Sequence, residues 1–163
     1  MTPLALLTAT PVPVALRRAG RADVTAIVDL IAADQLGASR DGIRDATDRT
    51  AYEAAFAAID ADPAQLLVVA EAAGRIVGTL QLTVIPGLAR RGAPRAQIEA
   101  VRVADAFRGA GLGSAMLGWA IDEARRRGCA LVQLTTDKSR ADAHRFYERL
   151  GFVASHEGMK LAL

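Results

Sequence analysis

A single cysteine, Cys129, in 163 residues rules out an intramolecular disulfide and any zinc site built from cysteines. It opens an apolar run after a helix-like stretch, so it reads as a packed structural thiol rather than a nucleophile. Aromatics are scarce, with one Trp, two Tyr and four Phe, and 20 Lys+Arg against 18 Asp+Glu leave a net charge of only +2. Nucleic-acid binding needs basic residues gathered on one face with aromatics among them, and this pattern is missing. No apolar run approaches the roughly 20 residues of a membrane-spanning helix. The apolar Leu4–Leu7 has no basic residue before it and is soon followed by Pro11 and Pro13. No signal peptide fits, and a cytoplasmic protein without membrane or nucleic-acid partners is expected. Gly-Lys-Ser and Gly-Lys-Thr are both absent, which excludes a P-loop. There is no internal repeat and no low-complexity tract.

What remains is an ordinary globular composition, 52% hydrophobic and 23% charged, long enough for one domain with a sizeable core. Residues 1–10 read as a loose leader and Val12–Leu16 as a short strand. Asp23 is a candidate N-cap for a helix reaching about Leu36, with Val24, Ile27, Val28 and Ile31 on one face. Gly37–Asp48 is a polar loop, and Tyr52–Ile59 a second helix closed by Pro63. Leu66–Ala70 and Ile76–Ile85 form a hairpin around the Ala73-Gly74 turn. After the loop Pro86–Pro94 comes a central strand, Ala96–Val103. A helix over Gly111–Arg127 follows, with Leu112, Met116, Leu117, Ala120, Ile121 and Ala124 on its apolar face. Leu131–Thr135 is a strand and Asp142–Leu150 a helix stopped by Gly151. Phe152–Ala154 and Met159–Leu163 read as short closing strands. The order predicts an α/β (α+β) domain, a mixed sheet of about six to seven strands with helices on both faces.

The densest local signal is Arg108-Gly109-Ala110-Gly111-Leu112-Gly113, lying directly between the central strand and the long helix. Glycines there let backbone N–H groups close on a diphosphate, and the helix adds its free amides and dipole. A Rossmann fingerprint does not fit: its third glycine would fall on Ser114, and no acidic residue ends a second parallel strand in the right place. As R-x-x-G-x-G, carried by Arg108, Gly111 and Gly113, the loop resembles the acyl-CoA loop of the GNAT superfamily of N-acetyltransferases. Some 30 residues on, Ala143, Phe146, Tyr147, Gly151 and Phe152 look like that superfamily's A-x-x-[LF]-Y-x-x-x-G-F signature. The two motifs stand in the family's order, and the resemblance extends over roughly residues 12–163. One departure is Arg140, where many members carry an asparagine that contacts the cofactor.

The resemblance implies a single acetyltransferase domain over residues 1–163, with its acyl-CoA-binding strand–loop–helix at 96–127 and its closing motif at 142–163. It implies acetyl-CoA as cofactor. The pyrophosphate would sit on the backbone amides of Arg108, Gly109, Ala110, Gly111, Leu112, Gly113 and Ser114. The pantetheine arm would pair with the backbone of Val101, Arg102 and Val103, and Ala143 and Phe146 would line the same site. No metal is implied. Glu99 is the candidate general base, with substrate-ammonium binding or a plain strand role as the competing reading. Tyr147 is the candidate acid for the leaving sulfur, or else a packing tyrosine. His144 and His156 are alternative bases with a structural reading beside each.

The C-terminal half, Asp142–Tyr147 with Gly151-Phe152, Ser155-His156 and Lys160-Leu161, also looks like that of aminoalkylphosphonate N-acetyltransferases. This implies a small acidic amine as acceptor, held by Arg90, Arg91 and Arg95 unless those form only a solvated basic loop. Tyr52, Glu53, Arg40 and Arg44 are further candidates for lining the acceptor pocket. A protein acetyltransferase and a non-catalytic acyl-CoA sensor are the rival functions, and a homodimer is expected. Arg125-Arg126-Arg127 is assigned to the helix dipole, and Trp119 to partial burial on its helix.

Overall fold

The computed structural model describes all residues except Met1, Ala9, Pro11, Gln35, Leu36, Ala38 and Leu163. Six strands and four helices follow in the order β1 (Ala5–Leu7), β2 (Val14–Arg18), α1 (Val24–Ala32), α2 (Ala46–Ala61), β3 (Gln65–Ala72), β4 (Arg75–Ile85), β5 (Arg95–Val103), α3 (Leu112–Arg126), β6 (Leu131–Leu134) and α4 (Ala141–Arg149). They make one mixed sheet in the order β1-β2-β3-β4-β5-β6. Only β5 and β6 run parallel, joined through α3 as a parallel crossover requires. The β3–β4 hairpin turns through Ala73 (φ 47°) and Gly74 (φ 75°), the left-handed pair of a tight two-residue turn. Asp45 caps α2 by accepting from the Asp48 amide at 2.9 Å, and Pro63 follows its end.

Burial is divided by the sheet. On one face Leu16, Leu80, Leu82 and Ile98 pack against Leu112, Met116 and Leu117 of α3, all essentially inaccessible. On the other, Leu67 and Val69 meet Val24, Ile27 and Val28 of α1 and Phe56 of α2. A Cβ at Gly78 would lie 2.9 Å from Met116 Sδ and 3.1 Å from the Arg102 carbonyl oxygen, so only glycine lets α3 seat this close to β4.

The feature that builds the site is a bulge. Gln81 faces Glu99 and Thr79 faces Arg102, so Ala100 and Val101 stand against the single Leu80. Ala100 takes φ 50°, a left-handed conformation uncommon for alanine. The β5–β6 ladder runs only from Arg95↔Leu131 to Ile98↔Leu134. Beyond Ile98 the strands part and leave one edge of β5 open.

Several expectations are corrected. The leader contributes a strand, since Ala5–Leu7 pairs antiparallel with Val14–Leu16. Proline-flanked segments tolerate such an edge position. Asp23 stands at the N-cap position of α1, but its side chain makes no cap hydrogen bond there. A short 3-10 turn, Arg21–Asp23, precedes the helix, and the Asp23 carboxylate accepts from the Gly20 amide at 2.7 Å and from Arg17. Helix α1 ends at Ala32, and the expected end near Leu36 lies outside the described residues. The closing strands over Phe152–Ala154 and Met159–Leu163 are not formed among the described residues, and Val153, Met159 and Leu161 are exposed there. Apolar alternation makes a strand only where a partner edge receives it.

Candidate functional site

The site forms where β5 leaves β6. In an extended strand alternate carbonyls face the same edge, and on the open edge of β5 two of them are met by arginine side chains. Arg102 Nη1 donates to the Val101 carbonyl at 2.8 Å and Arg108 Nε to the Val103 carbonyl at 3.2 Å. Beyond Ile98 this edge of β5 has no strand partner, and these two carbonyls bond arginine side chains instead. Arg108 also pairs with Asp105 at 3.0 Å, so its guanidinium faces its own loop.

The glycine loop follows at once. Gly109 (φ 73°) and Gly111 (φ 83°) are left-handed, and Gly111 leads into α3. None of the amides from Gly109 to Ser114 makes a well-formed backbone hydrogen bond among the described residues. A run of free amides with left-handed glycines at the start of a 15-residue helix is an anion-binding concavity. This donor set fits a pyrophosphate. Gly113 does a different job: a Cβ there would meet Phe146 Cζ at 3.4 Å and Val103 Cγ2 at 3.8 Å. It lets α4 close over the head of α3 and places Phe146 against the open edge.

Tyr147 is half-buried, 5.2 Å from the Phe146 ring centroid and 5.9 Å from that of Phe152. Burial raises the pKa of its phenol above the ordinary tyrosine value, opposed by the nearby cations Arg140 and Arg102. The phenol therefore keeps its proton at neutral pH while sitting beside two positive charges. Ala143 lies one turn earlier on α4, and its amide donates to the Arg140 carbonyl at 3.0 Å.

Glu99 is exposed on β5. Its cross-strand partners Gln81 and Leu67, and those of Arg102, Thr79 and Val69, lie on the face packed by α1 and α2. Glu99 and Arg102 thus open toward the same side. There Arg102 Nη2 lies 3.4 Å from Asp34, just past the end of α1, and Arg140 at the start of α4 pairs with the same carboxylate. Sequence reasoning missed Asp34 and the side chain of Arg102, because no local motif joins positions 34, 102 and 140.

Other candidates fall elsewhere. Arg90 and Arg91 sit in a single 3-10 turn, and with Arg95 they lie at the end of β5 opposite the bulge. Glu53 is held by Arg21 at 2.5 Å, Arg44 by Asp48 at 2.9 Å and Arg40 by Asp41 at 2.9 Å. The Tyr52 hydroxyl accepts from the Gly42 amide at 3.2 Å and so anchors the loop before α2. His144 Nε2 lies 3.1 Å from the Asp137 carbonyl, and His156 Nδ1 lies 2.8 Å from the Ser155 hydroxyl. No group of three His, Cys, Asp or Glu side chains is placed to hold a metal among the described residues. Arg126 and Arg127 both bind Glu123, each at 2.7 Å, and Arg125 binds Asp122, so the arginine run is structural.

The parted strands β5 and β6 thus stand beside the amide-lined start of α3. Residues 28–152 match the acetyltransferase (GNAT) family, and the chain belongs to that family, whose cofactor is acetyl-CoA. Among curated relatives it is 45% identical over 60 residues to an aminoalkylphosphonate N-acetyltransferase of Salmonella typhimurium, covering 37% of this chain and 39% of that protein. It is 39% identical over 90 residues to a glucosamine 6-phosphate N-acetyltransferase of Trypanosoma brucei brucei, covering 55% of this chain and 59% of that one. The chain thus matches about two to three fifths of the length of these relatives. A solved structure described as a transcriptional regulator from Bacillus halodurans is 46% identical, with a TM-score of 0.87, over 92% of this chain and 99% of that one.

Proposed function

We propose that this protein transfers the acetyl group of acetyl-CoA to the primary amine of a small molecule that carries an acidic group. The observation that carries this reading is the open edge of β5 running directly into the free amides of Gly109–Ser114. The names of both curated relatives support the acceptor class, since each denotes an amine bearing a phosphonate or a phosphate.

When bound, acetyl-CoA supplies an activated acetyl thioester. The residues that would hold it are Arg108 to Ser114 through their amides, Val101 to Val103 through the open strand edge, and Ala143 and Phe146 on α4. An acceptor amine is mostly protonated at neutral pH, and the exposed Glu99 carboxylate takes that proton. The Tyr147 phenol, kept protonated by burial, holds a proton at Oη for the departing sulfur. A homodimer belongs to the same reading, supported by the exposed apolar side chains Val153, Met159 and Leu161, which a second copy would cover.

The test is thiol release from acetyl-CoA by the purified protein across aminoalkylphosphonates, amino sugars and their phosphates, polyamines, amino acids and lysine peptides. Turnover of small acidic amines is expected. Turnover of peptides alone would move the protein to the protein acetyltransferases, and tight acetyl-CoA binding with no turnover of any amine would make it a sensor.

A further inference from the structure

Arg102 is an under-satisfied cation. Its side chain is only 17% exposed, Nη1 donates to the carbonyl of the adjacent Val101, and Nη2 reaches Asp34 at 3.4 Å, a long contact for a charge-assisted bond. Its Nε is buried and has no hydrogen-bond partner, the one such side-chain atom among the described residues. A buried N–H left unpaired is costly, and in native structures it points to a missing partner. Nε and Nη2 form the side-on edge of the guanidinium, the edge that grips an oxyanion with two parallel hydrogen bonds; here Nη2 faces Asp34 and Nε is covered, so an oxyanion reaches this edge only as the long Asp34 contact gives way.

The surrounding charge points the same way. Arg140 shares Asp34 with Arg102, so two guanidiniums are served by one carboxylate. Asp41 also acts on Arg102 electrostatically, but it is paired with Arg40 at 2.9 Å. The cluster keeps a surplus positive charge on the face onto which Glu99 opens. Arg102 lies three positions after Glu99, a backbone span of at most about 10 Å, shortened by the bulge. A carboxylate to take up an ammonium and a guanidinium edge to take up an anion, at that spacing, match a short molecule with an amine at one end and an oxyanion at the other.

We infer that Arg102, positioned by Asp34 and Arg140, binds the phosphonate or phosphate group of the acceptor and thereby sets its amine against Glu99. The inference rests on the acetyltransferase reading above and assigns its acceptor specificity to residues other than the basic loop Arg90–Arg95. Asp34 and Arg140 are positioning residues: they hold the guanidinium plane and do not touch the amine.

The experiment compares matched acceptors on the full chain with acetyl-CoA: 2-aminoethylphosphonate against ethanolamine, glucosamine 6-phosphate against glucosamine, and β-alanine as a carboxylate control. Parent kcat/KM is expected to favour the phospho member of at least one pair by a hundredfold or more. Arg102→Gln should raise KM for that acceptor ten- to a hundredfold, change kcat less than threefold, and raise KM for the neutral member no more than threefold. Arg140→Gln, which alters only an ion pair at a helix start, should raise the same KM three- to tenfold and serves if Arg102→Gln does not fold. Equal losses for phospho and neutral amines, no preference in the parent protein, or a preference for β-alanine over its phosphonate counterpart would overturn the inference while leaving the acetyltransferase reading intact. If no amine is acetylated, that reading fails. Calorimetric titration of 2-aminoethylphosphonate and of glucosamine 6-phosphate into the coenzyme A-bound protein then decides the inference. Binding lost in Arg102→Gln sustains it, and no binding refutes it.

Discussion

Two arginines, Arg17 and Arg102, are equally sheltered but differently served. Arg17 is 14% exposed and meets two carboxylates, binding Asp23 through both terminal nitrogens at 2.7 and 2.9 Å and Glu71 through Nε at 2.7 Å. Arg102 is 17% exposed and shares a single carboxylate with a second arginine, its Nε unpaired. In the first cluster carboxylates outnumber cations and the guanidinium edge is occupied, so it ties β2 to the start of α1 and to β3. In the second, cations outnumber carboxylates beside an open strand edge. Charge count and donor satisfaction together separate a fully paired guanidinium from an under-satisfied one.

The contrast can be broken at several points. Removing Arg17 should have the largest effect, because Asp23 and Glu71 would both be left uncompensated. Arg17→Met is expected to cost about 3–5 kcal/mol of stability, read as the denaturant midpoint, with KM values unchanged in the protein that remains folded. A midpoint shift under 1 kcal/mol would make the two clusters alike.

Beside the second cluster the expected losses are kinetic. Glu99→Gln should lower kcat by roughly a hundred- to a thousandfold with no change in melting temperature, and part of the loss should return as pH rises and the acceptor amine deprotonates unaided. Tyr147→Phe should lower turnover by roughly ten- to a thousandfold with coenzyme A affinity retained. Normal turnover in either variant would remove that residue from the chemistry.

The smallest effect sharpens the comparison through pH. The hydrogen bonds and charge of Arg17 lower the Asp23 pKa below the ordinary aspartate value, against the opposing effect of burial. The stability this contributes is complete above the unfolded-state value, about 3.9, and is lost as pH falls through the lower folded value. Asp23→Asn should therefore flatten the acid limb of the stability curve while leaving the limb above pH 5 parallel to that of the parent protein. An unchanged acid limb would show that Asp23 is not the titrating group.

Most of the fold was legible because its signals are local. The Ala73-Gly74 turn, the glycine loop before α3 and the apolar stripe of α3 each lie within a few residues, and each element formed within a few residues of its expected place. The alternation of Met159, Lys160 and Leu161 is equally local, yet no strand formed there among the described residues, because pairing depends on an edge that no local pattern specifies. The site divided along the same line. Gly111, Glu99 and Tyr147 belong to contiguous motifs, whereas Asp34, Arg102 and Arg140 meet only through the sheet, across separations of 68 and 106 residues.

The bulge at Ala100 acts as a change of reading frame for side chains. In a regular strand, positions 99 and 102 would point to opposite faces. The one extra residue restores them to the same face without disturbing Ala96 and Ile98, which remain buried against α3. Pairing the strand without the bulge would undo this, turning Arg102 into the apolar layer beside Met116, whereas deleting Ala100 would remove the bulge and leave Glu99 and Arg102 on one face. The bulge at this one position thus decides whether Arg102 shares a face of the sheet with Glu99.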